Sequence, residues 1–242
     1  MRKVFVVLLV SPLVLILGVY GCIRIANPSA GYDNIRIFKE TTHILEPLDE
    51  TGMVDFVESL NQRMSRGVTP ENNAAVLLWQ AAGPAEIESD HRVEFFKRLG
   101  IELLPDKGAY LVDFDDFVQA HPELLPDIED TDDTTGNSTP ETLANKQFEQ
   151  ALRRPWSAEE FPIVAAWLAT NQGPLELIAA AADRTHYYSP HIGWSVISTM
   201  LPDMLVVRYA ARTLTMRAML QLHQGNVEAA WQDLHRRHRL AR

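Results

Sequence analysis

Between residues 185 and 195 the chain reads Thr-His-Tyr-Tyr-Ser-Pro-His-Ile-Gly-Trp-Ser. Two imidazoles and three large rings in so short a stretch are what a small-molecule pocket needs: apolar walls with a few polar groups that orient a ligand. His186, Tyr188, His191 and Trp194 are the candidate ligand-binding residues, with Tyr187 beside them. His191 is the group able to act as an acid or a base near neutral pH. The simpler reading of the same rings is a long loop pinned to a core by its aromatic side chains.

Other candidate chemistry is sparser. Asp130, Asp132, Thr134 and Glu141 fall at positions 1, 3, 5 and 12 of a calcium loop, a spacing of oxygen ligands that can wrap a hard cation. Thr135 stands where that loop needs Gly for its sharp turn, so a solvated acidic loop is expected and no metal site is assigned. His235 and His238 lie one helical turn apart, with His223 available to them. His238 falls on an apolar stripe and reads as a core histidine. No Gly-x-Ser-x-Gly elbow, Gly-rich phosphate loop or His-Glu-x-x-His pair occurs, so no catalytic residue and no cofactor is expected. Cys22 is the single cysteine, which excludes an intramolecular disulfide and any cysteine-rich zinc module.

The elements that would position these residues read as helices. Met53, Phe56, Val57 and Leu60 recur at helical spacing, and Gly67 marks the stop. Thr69 and Pro70 predict the start of the next helix, with Ala74, Ala75, Leu77, Leu78, Trp79 and Ala82 inside it and Gly83-Pro84 ending it. A helix from Asp90 to Gly100 would turn Val93, Phe96 and Leu99 inward. Residues 109–113 suit a short strand or a turn into a helix. Residues 121–138 hold Pro122, Pro126, Gly136 and six acids, too few apolar groups to offset the entropy of ordering, so a mobile loop is expected. It contains the sequon Asn137-Ser138-Thr139.

Helices resume at Thr139-Pro140 and run to Arg153-Arg154. Ser157 and Glu160 have capping-box spacing, and Trp156 and Phe161 have the spacing of a hydrophobic staple. Pro162 is an irregularity there. Pro174 opens a helix through Ala179–Ala182. Pro202 opens a long one to about His223, and Gln224-Gly225-Asn226 turns the chain into a last helix from Val227. Its inward stripe reads Val227, Trp231, Leu234, His238 and Ala241. Arg236, Arg237, Arg239 and Arg242 give a basic end, which suits a helix C-terminus.

The N-terminus carries the strongest localisation signal. Arg2 and Lys3 precede twenty uncharged residues, Val4–Ile23, closed by Arg24. As a helix the run is about 30 Å long, the thickness of a bilayer core. The basic pair favours a cytoplasmic N-terminus. A single-pass signal anchor over residues 1–25 is expected, with a spacer at 26–40 and the bulk of the chain, 41–242, outside the cytoplasm. Val19-Tyr20-Gly21-Cys22 also resembles a bacterial lipobox, which would make Cys22 a lipidation site. Ordinary cleavage is the third outcome.

The chain has 22 basic and 32 acidic residues and a formal net charge of −10. That balance excludes a general nucleic-acid binder, which needs a basic footprint to displace counterions. The charge is uneven: residues 41–150 carry 23 acids against seven bases, whereas residues 151–242 carry ten bases against seven acids.

Two resemblances add to this reading. Leu220-Gln221-Leu222-His223-Gln224-Gly225-Asn226-Val227-Glu228-Ala229-Ala230-Trp231 resembles the turn of a tetratricopeptide (TPR) repeat, in which Gly closes one helix and small residues let the next approach. Glu71-Asn72-Asn73-Ala74-Ala75, Trp79-Gln80-Ala81-Ala82-Gly83-Pro84 and Phe95-Phe96-Lys97-Arg98-Leu99-Gly100-Ile101 are similar to stretches of uncharacterised membrane-anchored proteins of planctomycete bacteria. The likeness implies a cell-envelope location and brings no activity. The expectation is an all-α extracytoplasmic domain ending in a TPR-like hairpin, a structural or protein-interaction module whose protein partner is unknown. The alternative is a ligand-binding protein or enzyme using the loop 185–195.

Overall fold

The computed structural model describes residues 43–125, 139–193 and 202–241. The run Val4–Ile23 with Cys22, the calcium-spaced Asp130, Asp132 and Thr134, the sequon at Asn137, and Trp194 lie outside the described residues. Among those described, the regular structure is helical, without a β-strand. No described helix is long and apolar enough to cross a membrane.

The chain divides into two compact units, ending and beginning at Asp55 and Phe56. The described part of the first unit is a turn built on Asp49. Its carboxylate accepts hydrogen bonds from the Thr51 hydroxyl at 2.6 Å and from the backbone N–H groups of Thr51 and Met53 at 2.8 and 3.0 Å. These donors, the Thr51 hydroxyl foremost, hold the carboxyl below its ordinary range.

The second unit contains α1 (Phe56–Met64), α2 (Ala74–Ala82), α3 (Arg92–Leu99), α4 (Phe114–Ala120), α5 (Pro140–Ala151), α6 (Pro162–Thr170), α7 (Gln172–Ala182), α8 (Pro202–His223) and α9 (Val227–Leu240). A 3-10 turn, Pro122–Leu124, follows α4. Two helix pairings dominate: α2 with α7, and α8 with α9. The first works because both partners are rich in small residues. Ala74, Ala75 and Ala81 of α2 and Ala179, Ala181 and Ala182 of α7 are all buried. Their short side chains let the larger Leu78, Trp79, Leu175 and Ile178 fill the space between helices at crystal-like density.

Two aromatic clusters complete the core. Trp79, Phe95 and Phe96 meet edge to face, with centroids 5.1 and 5.5 Å apart. Phe114, Phe148 and Trp167 form a second group at 4.4 to 5.7 Å, tying α4, α5 and α6 together. Each fully buried large side chain contributes about 1.5–3 kcal/mol relative to exposure. The irregular segment before α4 is held by Asn171, whose side chain accepts from Val112 N at 2.8 Å and donates to Val112 O at 3.2 Å. The Trp167 indole donates to the same carbonyl at 2.8 Å.

Several element boundaries differ from those the sequence suggests, each for a local reason. Thr69 and Pro70 form a turn before α2, because the Asn72 side chain accepts from Thr69 N. The helix starts four residues later than expected, at Ala74, where Asn73 caps it by accepting from Ala75 N at 3.1 Å. The capping-box spacing at Ser157 closes only a turn, and α6 opens at Pro162. The Trp156 and Phe161 rings nevertheless meet, at 5.8 Å. Residues 109–113 form no strand and run irregularly into α4, with Asp113 as its cap. Val93 and Phe56, expected inward, are exposed, while Phe95 and Asn61 take the buried faces of their helices.

Candidate functional site

The aromatic loop is built from its main chain outward. Asn73, 1% exposed at the start of α2, grips Tyr188 on both sides: its Nδ2 donates to Tyr188 O at 2.8 Å and its Oδ1 accepts from Tyr188 N at 2.9 Å. Asn61, equally buried on α1, repeats the grip three residues on. Its Nδ2 donates to His191 O at 2.8 Å, and its Oδ1 accepts from His191 N at 2.9 Å. Ala74 N donates to His186 O, and His186 N donates to Asn72 O. The loop thus gains the hydrogen-bond partners a strand would have given it, which is how a buried irregular segment escapes the desolvation penalty.

This arrangement places the four candidate residues differently. Tyr188 is buried, and its hydroxyl donates to Asn61 Oδ1 at 3.2 Å. Burial pushes its phenol up. His191 is half-buried and shares Asn61 with Tyr188. His186 is exposed, its Nδ1 2.9 Å from the Thr185 hydroxyl. The fourth, Trp194, lies outside the described residues. Beside the clamp, Arg98 bonds Glu58 at 2.6 Å and Glu94 at 2.7 Å. Burial works against the Glu58 charge, but the Arg98 guanidinium and the Gln62 amide together outweigh it and hold the carboxyl below its ordinary range.

The second surface of interest is on the C-terminal hairpin. Gly225, at φ +80°, turns α8 into α9, a conformation that costs a residue with a Cβ about 1–2 kcal/mol. Ala218 and Ala230 are fully buried between the helices. At the centre of the contact Arg217 reaches across to Asp233, with Nε–Oδ2 and Nη2–Oδ1 both 2.7 Å. Asp233 is 2% exposed. Arg236 and Arg239 meet Asp183 at the end of α7, at 3.4 and 2.9 Å.

That ion pair sets the rotation of α9 and overturns the expected inward stripe. Ala230 and Asp233 face the hairpin, and Leu234 is only half-buried. Val227 and Trp231 are 64% and 65% exposed, and His238 and Ala241 are exposed as well. The hydrophobic period is real, but the buried carboxylate, which must meet its guanidinium, turns the stripe outward.

Farther along α8, Tyr209 sits among acids. The Asp113 carboxylate, which hydrogen-bonds its phenol, together with burial and the charges of Asp115 and Glu86, pushes Tyr209 up to about 12. Among the described residues, Glu88, Asp90 and His91 bring possible ligand atoms within 4.8 Å of one another. They are surface groups in the turn before α3, and nothing in the sequence spacing had singled them out. His223, His235 and His238 form no three-ligand group. No protein-family model matches the chain, and no curated protein or solved structure matches it.

Proposed function

We propose that this protein is a membrane-anchored, extracytoplasmic interaction module that meets a protein partner through the outer face of α9. The observation that carries the proposal is the exposure of Val227 and Trp231 on a helix otherwise packed into the domain. Large aromatic residues on a surface are the commonest anchors of protein contacts. The short turn at Gly225 and the buried Ala218 and Ala230 support a TPR-like unit, whose helices present a surface of this kind. The run Val4–Ile23 supports the anchor and the envelope location.

The rival reading, a ligand-binding or enzymatic loop at 185–195, has less support. Tyr188 spends its hydroxyl and its main chain on Asn61 and Asn73, so the side chain best placed to line a pocket is engaged in holding the loop. The test is site-specific photo-crosslinking in cells making the full chain. A benzophenone side chain at position 231 should form an adduct with a defined protein, and the same group at exposed Glu176 on α7 should not. Equal labelling at both positions, or none at 231, would overturn the proposal.

A further inference from the structure

We propose that Glu88, Asp90 and His91 form a binding site for a divalent transition-metal ion of the zinc type, at the turn that leads into α3. Their ligand atoms lie within 4.8 Å of one another. His91 Nδ1 stands 3.4 Å from Glu88 Oε2. That is long for a hydrogen bond, whose usual range ends near about 3.2 Å. It is instead the edge of a tetrahedral zinc shell, in which two ligands, each about 2.0–2.1 Å from the ion, stand about 3.3 Å apart. Asp90, exposed beside them, supplies the third corner by rotation of its own side chain. The imidazole distinguishes this turn from the purely acidic groups elsewhere on the surface.

The main chain that carries these ligands is already fixed. Ile87 is buried; its N–H donates to Pro84 O at 3.1 Å, and its carbonyl accepts from Arg92 Nε at 2.8 Å. His91 N donates to Glu88 O at 3.0 Å, and His91 O accepts from Phe95 N at 2.9 Å. Binding therefore orders only three side chains, which keeps its entropy cost small. Charge favours the ion as well. Arg92, the neighbouring cation in sequence, pairs with Asp106 at 2.6 Å. Among the described residues no Lys or Arg pairs with Glu88 or Asp90, so two carboxylates and a neutral imidazole are left to match the double charge of the ion. The donor set selects its class. Calcium takes six to eight oxygen ligands, whereas one imidazole with carboxylates suits zinc, and three protein ligands leave the fourth position to water.

The experiment titrates zinc chloride into the metal-free full chain in a mild detergent, followed by calorimetry and by the His91 ring signals in the NMR spectrum. One ion per chain is expected, with the ring signals shifting in step with the heat. His91→Ala should abolish this step. Asp90→Asn, which keeps the side-chain shape, should weaken it at least as much as loss of an outer-shell partner does, about 10–100-fold. His235→Ala, at an exposed histidine of α9, should leave it unchanged. The helical circular dichroism should be the same in all three variants, since the substituted side chains lie at the surface. A chain that takes up no zinc at about 100 μM, enough to fill a site of micromolar affinity, would overturn the proposal. So would binding that survives both His91→Ala and Asp90→Asn, which would place the ion elsewhere. Displacement of zinc by equimolar calcium would also overturn it, because the carboxylates alone would then be holding the ion.

Discussion

The loop at 185–193 and the outer face of α9 are opposites. The loop is rich in the groups that make binding sites, yet it is buried at Tyr188 and its main chain is bolted down there and at His191 by two asparagines. The α9 stripe is rich in the groups that make cores, yet Trp231 stands in solvent. The difference teaches that in these two regions hydrogen-bond demand, rather than apolarity, decided which residues went inside. Asn61, Asn73, Asn171 and Asp233 are all buried, and each has partners that satisfy it. An apolar side chain left outside forgoes the benefit of burial, whereas a polar main chain or carboxylate left inside without partners costs more than that.

The largest effect should come from breaking the clamp. Asn73→Ala removes three hydrogen bonds, to Ala75 N, Tyr188 N and Tyr188 O. At about 1 kcal/mol each, and with buried groups left unpaired, the loss should reach about 3 kcal/mol or more in urea unfolding. Amide exchange at Tyr188 should accelerate along with it. A loss under about 1 kcal/mol, the size of a surface change, would mean that the loop is held by its rings instead, and the contrast with α9 would collapse.

The next test is at the ion pair that rotates α9. Asp233→Ala leaves Arg217 without its bidentate partner. Removing one member of a wholly buried pair costs about 3–5 kcal/mol, but Arg217 is partly open to water, so about 2 kcal/mol is expected. The variant also sharpens the comparison. Without the buried carboxylate, the stripe of Val227, Trp231 and Leu234 is free to turn inward, and Trp231 fluorescence should become less accessible to an aqueous quencher.

The helices themselves were largely legible. Pro202, the Gln224-Gly225-Asn226 turn, Val227, Gly83 and Gly100 mark boundaries where the structure has them, because prolines and left-handed glycines act on the backbone locally. Rotation about the helix axis was not legible. Val93, Phe56 and Trp231 follow the correct period, but period alone does not say which of two adjacent stripes meets a neighbour. At α9 that was decided by Arg217, on another helix. The clamp was missed for the same reason: Asn61 and Asn73 lie 130 and 115 residues from the carbonyls they hold. Asn73 read locally as one residue in an Asn-Asn pair.

A smaller effect is expected at Tyr209, an exposed aromatic that, unlike Trp231, is tied by a polar contact. Its folded pKa of about 12 lies above the ordinary value near 10. The folded state therefore holds the proton more tightly than the unfolded chain does. The associated stability is complete below about pH 10 and is lost as pH rises toward about 12. Tyr209→Phe should remove the last phenolate step in an ultraviolet titration and flatten the fall in stability over that interval. Asp113→Asn should bring the same step to lower pH. An unchanged titration in both variants would separate Tyr209 from Asp113.

The smallest effect is expected at the residue that looks most like a core anchor. Trp231→Ala removes the largest side chain of α9, and a buried indole would cost about 3–5 kcal/mol. Here most of the ring is already in water. Helix propensity works the other way, since Ala favours a helix over Trp by a few tenths of a kcal/mol. The monomer should therefore change by less than about 0.5 kcal/mol, the range of surface substitutions. Urea melts of the wild-type and substituted chains at high dilution measure that difference. A loss of about 3 kcal/mol at high dilution would return Trp231 to the core of its own chain and remove the open face on which the contrast between the two regions depends.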